Sequence, residues 1–221
     1  MKVVTMSEIK EDALVQGLIE GGNRHLGAIG YTEHGLRHVG LVANIAKNTL
    51  EKLERPAREC ELAAIAGYLH DIGNAVNRTG HAQSGAVLAA FILERHGLPP
   101  EEIAMIMGAI GNHDEGDGNP VNTVSAALIL ADKSDVHRSR VRNSDPATFD
   151  IHDRVNYAVE HSFLRVHPQQ RHITLELKIN TEICPVMDYF EIFLARMLLC
   201  RKAAEFLQTK FELLINEVKL L

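Results

Sequence analysis

Residues 64–74 read AIAGYLHDIGN. Leu62, Ile65, Ala66 and Leu69 recur at helical spacing, and Pro56 opens the run in a first-turn position where its missing N–H costs nothing. The run ends in His70-Asp71 and is stopped by Gly73. Two neighbours on a regular helix cannot face the same way, but a backbone turning at a helix end can aim both at one spot.

Outward from this stretch the chain alternates helical segments with short connections. Amphipathic helices are expected over about 7–20, ended by Gly21-Gly22, and from about Thr32, as N-cap, through Leu53. Further helices are expected over about 84–95, 101–112, 123–138 and 150–162. The last fifty residues change character. RHITLELKIN (171–180) and FELLINEVKLL (211–221) alternate with period two, and the intervening 185–208 is helical. The expected fold class is therefore mainly α, a helical bundle over 1–165 with a small strand-helix-strand (α+β) appendage over 166–221, packed on the bundle or used for dimerisation. The Met and aromatic residues of MDYFEIFLARM (187–197) have helical spacing and fit core or dimer contact.

Composition narrows the function classes. A net charge of −6 over 221 residues argues against a broad nucleic-acid or anionic-membrane surface, which needs accumulated Lys and Arg. No stretch reaches a membrane span and the N-terminus does not read as a signal peptide. Three scattered cysteines suit a reducing compartment, so a cytoplasmic location is expected.

Histidine is the excess residue, with 12 against 4 Tyr and no Trp. His34 and His38 are four apart, His81 opens a helix, His113 closes one, and Asp132 lies inside the apolar ALILADKSD. Imidazole nitrogens and carboxylate oxygens without thiolates suit Fe, Mn, Zn, Co or Ni, with Mg also open. The other histidines, His152 among them, read as ordinary surface or helix-end residues.

The ordered set H…HD…H…H…D, with LHDIG and ADKSD, resembles the HD superfamily of metal-dependent phosphohydrolases over roughly residues 32–138. The resemblance implies metal ligation by His38, His70, Asp71 and Asp132, with His81 and His113 matching the two intermediate histidines of members with dinuclear sites. It implies two divalent ions, Asp71 bridging, a metal-activated bridging hydroxide, and catalytic roles for Asp71, His81 and Asp132. The HD-GYP branch is distantly similar; its HDIGK, doubled histidine and GYP read here as Asn74, Asn112-His113 and DGNP. His34, Asn74, Asn112 and Asp135 are candidates for a further ligand or for groups that orient ligands.

Lys133, Arg138, Arg140 and Arg142 form the densest basic cluster. Lys133, Arg138 and Arg140 are the candidates for substrate phosphate; a solvated basic helix end is the plain alternative. The expected partner is a small phosphorylated metabolite or nucleotide, without a nucleic-acid polymer or a membrane, and with homodimerisation in view. Two other functions share these ligands: a diiron oxygenase of the HD fold, and a catalytically silent nucleotide- or metal-sensing module.

Overall fold

The helix that carries the opening motif, α4 (Ala57–Leu69), buries Cys60 and every residue from Leu62 to Leu69. A helix apolar all round belongs inside a bundle. The computed structural model describes residues 3–220, and among them α4 packs against α3 (Leu36–Lys52), α6 (Pro100–Gly111) and α7 (Thr123–Lys133). At Gly67 the α3 and α4 backbones are so close that a Cβ there would lie 2.7 Å from the Ala43 Cα. Two further helices, α1 (Met6–Glu11) and α2 (Ala13–Ala28), lie at the N-terminus, and α5 (His81–His96) packs on α6.

Past α7 the chain runs through α8 (Ile151–Ala158), β1 (Val159–His167), β2 (His172–Ile179), α9 (Val186–Phe206), β3 (Lys210–Ile215) and β4 (Val218–Lys219). The four strands form one sheet in the order β1-β2-β3-β4, with β2 and β3 parallel and the outer pairs antiparallel. The crossover between the parallel strands is α9, which packs against α7. Ile173, Leu175, Leu177 and Ile179 of β2 join Phe211, Leu213 and Ile215 of β3 in the same buried cluster as the helical core.

Mainly helical architecture with a strand-helix-strand end is what the sequence pattern implies, but several boundaries move. The N-terminal helix is two: Asp12 Oδ1 accepts from the Leu14 and Val15 amides, starting α2, which runs through Gly21-Gly22 to Ala28. Gly22 is there for contact, since a Cβ would meet the Ala75 amide nitrogen at 3.0 Å. Thr32 caps nothing; α3 begins at Leu36 with Gly35 as N-cap, so His34 precedes the helix. The helix expected over 123–138, α7, stops at Lys133, not Arg138, because Arg140 folds back and donates from Nη1 to the Asp135 carbonyl at 2.8 Å.

The segment 150–162 is helical only to Ala158; Val159–Ser162 begin β1. Only Val159 and Val166 of β1 are buried, so the strand carries almost no period-two apolar signal, and its pairing with β2 decides its state. FELLINEVKLL is likewise two strands, turned by Asn216 and Glu217, both with positive φ (50° and 68°). That is the handedness a two-residue hairpin demands. Tyr189, Phe193 and Met197 of α9 are core, whereas Met187 and Leu194 are exposed. No helix among the described residues is long and apolar enough to cross a membrane.

Two helical glycines should respond oppositely to substitution. Gly67→Ala forces a methyl into the α3 backbone and should cost about 1–3 kcal/mol. Gly17→Ala, in α2 with nothing within 4 Å of the new Cβ, should gain up to about 1 kcal/mol from helix propensity. Urea unfolding of the two variants beside the wild type measures both.

Candidate metal centre

α4 delivers His70 in helical conformation, then the backbone tightens: Asp71 has φ −99° and ψ 3°, and residues 72–75 form a 3-10 turn. His70 and Asp71 thereby face one point, with His70 Nε2 3.4 Å from Asp71 Oδ2. Gly73 makes this possible by close packing, not by an unusual backbone angle. It is not among the glycines with positive φ, and a Cβ on it would lie 2.0 Å from the His81 carbonyl oxygen and 2.6 Å from the Gly85 nitrogen. The turn is pressed flat onto the start of α5.

Four imidazoles converge with the same polarity. His38 Nδ1 donates to Asp135 Oδ2 (2.7 Å), His70 Nδ1 to the Gly67 carbonyl (2.8 Å), His81 Nδ1 to the Arg78 carbonyl (3.0 Å) and His113 Nδ1 to the Ile110 carbonyl (2.6 Å). Acceptors at Nδ1 place the hydrogen there, so in each neutral ring the lone pair is on Nε2. Those Nε2 atoms face one another at 3.3 Å (His38 and His70) and 3.2 Å (His81 and His113). Asp132 Oδ1 lies 3.3 Å from His38 Nε2 and 3.6 Å from His70 Nε2.

Asp71 faces both pairs. Its Oδ2 is 3.6 Å from His38 Nε2, and its Oδ1 is 3.6 Å from His81 Nε2. Asp71 Oδ2 is buried without a hydrogen-bond partner. Lone pairs and carboxylate oxygens crowded together in a buried site repel unless a cation sits among them. The donor set fits divalent metal: groups of His38-His70-Asp71, His70-His113-Asp132 and Asp71-His81-His113 each have ligand atoms within 4.8 Å of one another.

Without a metal, a proton must do that work. Burial disfavours the charged ring of His70, but Asp71 and Asp132 outweigh it and lift His70 to about 10. Burial likewise opposes the charges of Asp71 and Asp132, yet His70 beside the first and Lys133 beside the second hold both carboxyls well below their ordinary range. His113 goes the other way, to about 3, through burial and the positive His70 and Lys133.

Residues 35–143 match the family described as HD domain. The chain carries an HD domain. All six converging residues lie inside the matched segment, whereas His34, α8, the sheet and α9 lie outside it. An uncharacterized protein of Methanocaldococcus jannaschii is 32% identical over 53% of this chain and 53% of its own length, so the chain spans about half of that relative. A solved structure described as a predicted HD superfamily hydrolase, from an uncultured Thermotogales bacterium, is 21% identical with a TM-score of 0.46, over 61% of this chain and 75% of that one.

Around the HD-domain cluster the remaining candidates separate. Asp135 orients His38 and is itself gripped by Arg37 (2.8 Å). Asn74 donates to Asp71 Oδ1 at 2.8 Å, fixing the carboxylate. Asn112 turns away and donates to the Gly108 carbonyl of its own helix. His34 stands edge-on to His38, ring centroids 5.4 Å apart, with Nδ1 on the Thr32 carbonyl; burial and Arg140 hold it well below its ordinary pKa. The basic cluster does not converge. Lys133 is buried between Asp132 (2.7 Å) and Glu115 (3.2 Å), Arg138 pairs with Glu160 on the far side, and Arg142 binds the Tyr31 carbonyl. Arg140 lines a cavity.

That cavity, of about 400 Å³, is lined by His34 and Arg140 together with Tyr31, Arg78, His152 and Arg196. Arg78, His152 and Arg196 carry no signal in the sequence that marks them as site residues. Arg196 comes from α9, where it pairs with Glu115, so the C-terminal unit closes a charge relay of Arg196, Glu115, Lys133 and Asp132. Burial would raise the Glu115 carboxyl, but Lys133 and Arg196 keep it well below the ordinary range.

Two measurements follow from the geometry. Asp135→Asn removes the charge that holds His38 in register and should weaken Mn²⁺ or Zn²⁺ binding by about 10–100-fold. A metal entering the centre displaces the proton on His70, which is retained up to about pH 10. Apparent affinity should therefore rise with pH below that value, by about tenfold per unit for one proton released. Chelator competition at several pH values reads the slope; an affinity independent of pH would contradict it.

Proposed function

We propose that the protein is a metal-dependent phosphohydrolase acting on a phosphate mono- or diester of a small metabolite or nucleotide, with two divalent ions in the His/Asp cluster. The observation that carries this reading is the double facing of Asp71, one oxygen toward His38 and His70, the other toward His81. In this assignment His38, His70, Asp71 and Asp132 hold one ion, and His81 and His113 hold the second, sharing Asp71. Divalent ions so placed supply positive charge for phosphoryl oxygens and lower the pKa of a water toward neutrality.

The protein's own groups set that chemistry up. Asn74 on Asp71 Oδ1 and Lys133 on Asp132 Oδ2 hold the two carboxylates in orientation. Asp132 is the partly open member, its side chain 12% exposed against 4% for Asp71, and is the carboxylate placed to meet water entering the centre. Arg78, with Nη1 3.4 Å from His81 Nε2, stands where a phosphoryl oxygen would arrive. Its guanidinium can bind two such oxygens at once.

The test is phosphate release from p-nitrophenyl phosphate and bis-p-nitrophenyl phosphate with added Mn²⁺, with and without air. The reading expects metal-dependent release that is indifferent to oxygen, falling about 10³-fold in Asp71→Ala as several kcal/mol of charge stabilisation is lost. Oxygen consumption dependent on iron, with no phosphate released, would put the diiron oxygenase in its place.

A further inference from the structure

The cavity beside the metal centre holds more positive charge than a single phosphoryl group needs. Its lining includes three guanidinium groups, Arg78, Arg140 and Arg196, and one carboxylate, Asp150. Arg196 is neutralised by Glu115. The other two stand farther from a carboxylate. Arg78 has Asp114 as its nearest carboxylate, at 3.8 Å. Arg140 is 3% exposed, and its three bonds go to neutral carbonyl oxygens, two to Glu33 and one to Asp135. The carboxylate nearest to it, Asp135 at 3.7 Å, is already engaged by Arg37 and His38.

A guanidinium carries five N–H donors, so Arg140 keeps two beyond those bonds. A buried cation with donors to spare, sharing its one nearby carboxylate with two other cationic or donor groups, is stabilised by a further anion that completes it.

The two guanidiniums adjoin different histidines of the cluster and line the same cavity. Imidazole rings run from His34 to His38, His70, His113 and His81 with centroids 5.4, 5.2, 5.0 and 5.0 Å apart. Arg78 adjoins His81 at one end. Arg140 lines the cavity with His34 at the other. A cavity of about 400 Å³ lined by both has room for a ligand larger than a single phosphoryl group.

We propose that Arg140 and the cavity it lines recognise a second acid group, on the leaving group of the substrate, so that the preferred substrate is a small phosphoester whose alcohol carries a carboxylate or another phosphate. This rests on the phosphohydrolase reading. Hydrolysis forms a P–O bond to the oxygen of water and breaks the P–O bond to the alcohol; one proton of water goes to the alcohol oxygen and the other stays with the phosphate. The acid on the alcohol is not altered. Its role is recognition, with the planar guanidinium offering two parallel hydrogen bonds to an oxyanion.

The test is calorimetric binding to the Mn²⁺-loaded protein of three probes, ethyl phosphate, 2-phosphoglycolate and ethanediol bisphosphate, each followed by an assay for released phosphate. The proposal expects one of the two acid-bearing probes to bind at least about tenfold more tightly than ethyl phosphate, the order of a charge-assisted pair. The tighter of the two identifies the acid as carboxylate or phosphate. Arg140→Gln, loaded with Mn²⁺ to the same occupancy as the wild type, should erase the preference, read as the ratio of the acid-bearing probe's affinity to that of ethyl phosphate. Equal binding of all three probes by the wild type overturns the proposal whether or not that variant folds, and so does a preference that survives in a folded Arg140→Gln protein. Tight binding of an acid-bearing probe with no phosphate released from any of them would keep the subsite and reject the hydrolase; release from ethyl phosphate with no discrimination would do the reverse.

Discussion

The structure depends on one electrostatic constraint: four imidazoles and two carboxylates are buried together in an apolar bundle, with their lone pairs turned inward. Nothing in a helical core favours that arrangement by itself, since the inward nitrogens and oxygens lose water and Asp71 Oδ2 gains no protein donor. What holds it is the outer ring of partners. Each Nδ1 is tied to a carbonyl or to Asp135, Asp71 to Asn74, and Asp132 to Lys133. The rings therefore cannot rotate to relieve the crowding, and the centre is pre-shaped for cations.

The close backbone approaches serve the same end. Gly73 lets the 72–75 turn lie on the start of α5, Gly67 lets α4 lie on α3, and Gly22 lets α2 lie on Asn74 and Ala75. Through these three contacts the elements bearing His38, His70, Asp71 and His81 are locked at fixed spacing. The C-terminal unit reaches the centre from the other side through Arg196 and Glu115, and α8 and α9 supply walls of the cavity. An appendage lying outside the HD-domain match thus takes part in the site.

Much of this was legible in the sequence where the determinants are local. The apolar helix ending in His70-Asp71, the period-two pattern of 171–180 and the order of the histidines need no tertiary information. Other features do. β1 buries only its two valines, so only its partner strand reveals it, and the Gly21-Gly22 pair looks like a helix stop until Asn74 is seen packed on Gly22. Arg138 and Arg140 are two residues apart, yet one pairs with Glu160 outside and the other is buried toward the cavity. Arg78 and Arg196 meet the site only through the fold.

In the proposed function Asp71 is shared by two separable ion sites. Equilibrium dialysis against Mn²⁺, followed by elemental analysis, tests it on the wild type and on a His81→Ala/His113→Ala double variant shown by circular dichroism to be folded. Two equivalents in the wild type and one in the variant are expected. A single equivalent in both proteins would rule out a shared Asp71.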